Sequence, residues 1–176
     1  MASYNEWVNA KLYEAAAKLT PQELAADRKT FFGSIMGTLN HIVVGDTNWL
    51  KRFATHPSNH AALESIRKTR TPAALDELLF TDLGALLKHR IILDEIIKQW
   101  TTTLTPEDLS HVLPYVSMKG VAAKKRFSSL VMHFFNHQTH HRGQVSTLLF
   151  QAGVDVGVTD LLALIPDEVD AGARTG

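Results

Sequence analysis

Cysteine is missing from the 176 residues, and no net charge remains once 18 acidic side chains are set against 18 basic ones. The first absence removes disulfides, thiolate metal ligands and a cysteine nucleophile together, and it fits a reducing cytoplasm. The second argues against a dedicated nucleic-acid or acidic-lipid binder. No stretch approaches the roughly 20 consecutive apolar residues of a membrane span. Residues Met1 to Trp7 lack a charged segment leading into an apolar one, so a secretory leader is not expected either. With 45% apolar and 20% charged residues, the chain has the composition of a folded domain. Histidine, by contrast, is plentiful, with nine copies. Any metal chemistry here rests on imidazole and carboxylate.

Hydrophobic periodicity predicts four long helices. The first runs from Tyr4 to Leu19, with Ser3 and Glu6 at capping-box positions and Thr20-Pro21 ending it or opening a short turn. The second spans Phe31 to Phe53, where Phe31, Ile35, Leu39, Ile42 and Trp49 fall along one stripe. The third starts at Thr71-Pro72 and reaches Trp100, with Leu75, Leu79, Leu86 and Ile91 among its apolar positions. The fourth covers Phe127 to Gln151 and stops at Gly153. Between the third and fourth, Val112, Pro114 and Val116 on one side of Lys119-Gly120 and Val121 on the other suggest a short hairpin. The expected architecture is an all-α four-helix bundle with that hairpin excursion, in one domain over residues 1–176.

Histidines four apart share a helix face, where one metal ion can bridge them. Such pairs occur at His56/His60, His133/His137 and His137/His141, and about half a pair is expected by chance at this composition. Pro57 breaks any helix that would align His56 with His60, so that pair is assigned to a solvated loop. His137 and His141 lie mid-helix among Val131, Phe134, Val145 and Leu148, and burying two imidazoles without partners is costly. Hydrogen-bonded core histidines are the bland answer. His41, mid-helix in the second segment, shifts the balance, because the centres of two long helices can meet at one depth. Three imidazoles from two helices would leave metal positions open, as in catalytic rather than structural sites. His133 is the rival ligand, and His140 points away to the surface or to an outer shell. Gln138 stands where a zincin has its glutamate base, so that chemistry is not expected.

Phe32-Gly33-Ser34-Ile35-Met36-Gly37-Thr38-Leu39-Asn40-His41-Ile42, with Asp46 and Trp49-Leu50 after it, resembles the second helix of the DinB-like (DinB/YfiT) metalloenzymes. Asn136-His137-Gln138-Thr139-His140-His141-Arg142-Gly143-Gln144 resembles that family's most specific motif, and the two ends of the chain, at Tyr4 to Asn9 and Ala152 to Leu161, are similar as well. The resemblance implies a four-helix bundle, commonly a homodimer, with a divalent metal such as zinc, nickel or iron on His41, His137 and His141. Similar proteins include transferases or isomerases that use low-molecular-weight thiols, and a metal-dependent hydrolase is the competing chemistry. The alternative is a non-catalytic metal-binding or stress-related dimer. The family name implies nothing about binding DNA.

Other residues take supporting roles. Asn40, Asp46, Gln138 and Gln144 are candidates to orient the rings, although Asp46, five residues from His41, reads equally as a helix-exterior residue. Arg142 is expected to pair with a surface carboxylate or to meet an anionic substrate. Gly143 is expected to permit close helix packing, at about 1 kcal/mol of helix propensity. Trp7, Trp49 and Trp100 read as core or interface anchors, and Lys124-Lys125-Arg126 as a solvated turn before the fourth helix.

Overall fold

The computed structural model describes residues 1–167, so residues 168–176 of the expected domain lie outside it. Seven α-helices and one two-stranded antiparallel sheet occur among the described residues: α1 (Ala2–Ala16), α2 (Pro21–Ala25), α3 (Ile35–Phe53), α4 (Glu64–Lys68), α5 (Leu83–Thr102), α6 (Pro106–Ser110), β1 (Val112–Val116), β2 (Ala122–Arg126) and α7 (Phe127–Gln151). Helix α3 packs on α7 and α5, and α1 packs on α5 and α7. None of these helices is long and apolar enough to cross a membrane.

Helix boundaries follow the caps, and several differ from expectation. Helix α1 begins at Ala2, so Ser3 sits inside it and caps nothing, while Glu6 reaches Lys98 at 2.8 Å. The capping box falls instead at Thr20 and Glu23, opening α2 behind Pro21. Helix α3 starts four residues later than expected, because the Ser34 hydroxyl accepts from Gly37 N–H. Phe31 is left 87% exposed.

Helix α5 starts at Leu83, capped by Asp82, and not at Thr71-Pro72. The segment between is held irregular by side chains that take over its backbone bonds. Glu77 accepts from Ala73 N–H at 2.6 Å. Asn40 accepts from Phe80 N–H at 3.0 Å and donates to the Phe80 carbonyl at 2.9 Å. Leu75 and Ile91 are accordingly exposed, and the buried face of α5 runs through Leu86, Arg90, Leu93, Ile97 and Trp100. The hairpin and α7 form where expected, with Gly120 turning the hairpin at φ +76° and Gly153 ending α7 at φ +82°. Lys124-Lys125-Arg126 is exposed as expected but is strand β2, not a turn.

The core is densest where Phe53, Trp100, Phe127 and Phe134 meet, ring centres 5.1 to 6.2 Å apart. Each such ring contributes roughly 1.5–3 kcal/mol on burial. Trp100 is the core anchor, whereas Trp7 and Trp49 are only partly covered. Helix α3 lies at the centre of this packing. Sixteen of its 19 residues are buried, on every side. Its polar residues are therefore interior ones, which sets up the site.

Candidate metal centre

His41 projects from the middle of α3 toward α7, where His137 and His141 stand one turn apart. One ligand atom from each of the three lies within 4.8 Å of the others. The ring centres of His41 and His137 are each 4.4 Å from that of His141. Gly45 makes this approach possible: a Cβ there would come within 2.7 Å of His137 Cε1. Gly143, expected to serve that purpose, would put a Cβ into open space.

Hydrogen bonding fixes where the protons are. His41 Nδ1 is 2.7 Å from the Leu75 carbonyl. A carbonyl only accepts, so Nδ1 carries the proton and Nε2 a lone pair. His141 Nδ1 is 2.8 Å from Gln144 Oε1, and the Gln144 amide donates onward to His140, which again leaves the lone pair on Nε2. The two Nε2 atoms face each other at 3.2 Å. Two lone pairs directed at one point form a complementary seat for a divalent cation, so the donor set fits a metal. His137 makes no hydrogen bond among the described residues, and both its nitrogens are available.

The environment favours neutral imidazole. Burial lowers His41 to about 4, with the nearby His141 adding to the effect. Burial lowers His137 to about 3, assisted by His141 and His41. His141 moves the same way, chiefly through burial. All three are unprotonated, ligand-competent groups at neutral pH. Phe32 stacks on His41 at 3.7 Å and sets its edge toward His141 at 5.5 Å, forming an apolar wall. A cleft of about 360 Å³ runs beside this wall, lined by Phe31, Phe32, Thr38, Gln144 and Leu148 among others.

The remaining candidates divide. His133 is exposed and packs edge-on against Trp49, outside the cluster, and His140 is also at the surface. Of the four proposed orienting groups, Gln144 alone bonds a ring. Asn40 acts at one remove, by fixing the segment that brings the Leu75 carbonyl to His41. Asp46 is fully buried, not exterior: it accepts from Gln138 at 2.9 Å and is paired with Arg90. Arg142 is likewise buried, bonded to Asn5 and to Thr139 under the Tyr4 ring, and meets no surface carboxylate among the described residues. His56 and His60 are buried rather than solvated, because the loop folds back onto Asp108 of α6.

The Leu75 carbonyl, Phe32 and Gly45 complete the site, and the sequence assigns none of them a role in it. Phe32, directly before Gly33 and the Ser34 cap, carries a usable signal, since an apolar residue just outside a helix start packs back on its first turns. A backbone carbonyl carries none.

"Protein DinB" of Bacillus subtilis (strain 168) is 27% identical over 159 residues, covering 89% of this chain and 87% of that protein. No solved structure matches. The model of the DinB family matches residues 1–169, and the chain belongs to that family.

Proposed function

We propose that residues 1–176 form one four-helix bundle domain whose His41, His137 and His141 hold a single divalent transition metal, zinc, nickel or iron, for catalysis on a small molecule. The observation that carries this reading is the pair of Nε2 lone pairs facing each other at 3.2 Å, each fixed by a bond at the other ring nitrogen. The chemistry such a metal supplies is Lewis acidity, which lowers the pKa of a water or thiol entering its open position. Leu75 and Gln144 hold the rings in the ligating tautomer, Phe32 excludes water from one side, and the adjoining cleft receives the substrate. The rival ligand expected from sequence, His133, packs on Trp49 instead, which favours an open, catalytic site over a closed structural one.

With no cysteine in the chain, a thiol reactant arrives from outside, so a transferase or isomerase using a low-molecular-weight thiol is the leading chemistry, and hydrolysis the second. The same reading includes a cytoplasmic location and a homodimer, the latter with the exposed Ile91 and Ile92 of α5 as an apolar contact. Elemental analysis of untagged protein tests the assignment: His137→Ala is expected to lose about one equivalent of metal relative to wild type. Thiol-dependent turnover of an electrophile is expected to vanish on chelation and return with metal. Full turnover by chelated protein would contradict the reading.

A further inference from the structure

The loop after α3 carries a second cluster that the triad does not use. His56 and His60 are 5% and 6% exposed and face Asp108. His56 Nδ1 lies 3.9 Å from Asp108 Oδ1, and His60 Nε2 lies 3.9 Å from Asp108 Oδ2. One ligand atom from each of the three residues falls within 4.8 Å of the others.

The proton on His60 can be placed. The Thr103 hydroxyl donates to the Trp100 carbonyl at 2.7 Å, so its oxygen accepts from His60 Nδ1–H at 3.1 Å. In the neutral ring His60 Nε2 then carries a lone pair, buried, without a donor, and facing a carboxylate oxygen. His56 Nδ1, the nitrogen facing Asp108, accepts a 3.2 Å bond from Ser58 N–H, which puts the His56 proton on Nε2, buried without a partner, and a cation bound at Nδ1 would replace that bond. The carboxylate is held in place from outside by the Ser58 hydroxyl and by Thr105 N–H at 3.0 Å. Buried electron-rich atoms directed at one another are costly unless something electropositive lies between them. A shared proton answers poorly, because 3.9 Å exceeds hydrogen-bond length. A cation bonded at about 2.0–2.2 Å to each atom spans such a gap.

We propose that His56, His60 and Asp108 form a second site for a divalent transition cation, separate from the triad, which ties the loop after α3 to α6. Two imidazoles and one carboxylate suit zinc or iron(II) over calcium or magnesium. The site rests on its own geometry and does not depend on how the triad is read.

Cobalt(II) is the probe, followed by its visible d–d absorption and by equilibrium dialysis, with circular dichroism checking the fold of every variant. Wild type is expected to bind two equivalents. His60→Ala and His137→Ala are each expected to bind one, and the double variant none. Asp108→Asn, which keeps an oxygen for Thr105 N–H and presents an amide N–H that the Ser58 hydroxyl can accept, is expected to retain a native circular dichroism spectrum while losing the same equivalent as His60→Ala. Undiminished cobalt binding by both His60→Ala and Asp108→Asn would overturn the proposal. If the triad reading alone fails, His137→Ala changes nothing while His60→Ala still removes an equivalent.

Discussion

At the scale of single residues, the site depends on one of two glycines that look alike in sequence. Gly45 faces His137 so closely that a methyl group there would collide with the ring, whereas Gly143 faces nothing within 4 Å. Gly45→Ala is expected to push α3 from α7 and weaken metal binding by at least tenfold, measured by competition with a chromogenic chelator. Gly143→Ala is expected to leave metal affinity unchanged and to stabilise the protein by up to about 1 kcal/mol in urea unfolding. The reverse pattern would show that the helix approach had been misassigned. His137 and His141 stand out in the sequence because a spacing of four puts them on one face of a helix, and His41 because it sits mid-helix in a second long segment. The Leu75 carbonyl does not, since its role depends on residues 71–82 leaving the helical conformation that Thr71-Pro72 announces on paper.

At the scale of elements, α3 explains most of what the sequence did not disclose. Its apolar stripe reads as one face in the sequence, but four other helices, α2, α4, α5 and α7, and the 71–82 segment cover it on every side. Asp46 is off the face of His41 and is buried all the same. Its charge is balanced by Arg90, which also lies 3.1 Å from Asp94, while Asn5 and Asn9 donate to Asp94 from α1. This polar layer ties α1, α3, α5 and α7 together beneath the triad. Arg90→Leu strands two buried carboxylates and is expected to cost about 3–5 kcal/mol in urea unfolding. A loss below about 1 kcal/mol would show that the layer is solvated rather than buried. Hairpin and α7 were legible because turn glycines and a long unbroken period mark them. The true start of α5 was hidden, because the competing bonds come from Asn40 and Glu77, and Asn40 lies forty residues away in the chain.

At the scale of the whole molecule, the buried neutral imidazoles couple stability to pH. In the unfolded chain histidine titrates near 6.5, whereas His41 and His137 in the metal-free fold are lowered to about 4 and about 3. Between these values the unfolded chain takes up protons that the folded chain refuses, so stability falls as pH drops. The Tm of metal-free protein is expected to decrease from about pH 7 to about pH 5, and less steeply in a His41→Gln/His137→Gln variant. Equal slopes would place those rings in solvent.

X-ray absorption at the metal edge reads the three-histidine claim most directly, on protein loaded with one equivalent of zinc in a His60→Ala background. Three imidazole nitrogens at about 2.0–2.1 Å are expected, with the rest of the shell filled by solvent oxygen. Two imidazoles or fewer would contradict His41, His137 and His141 as a shared site.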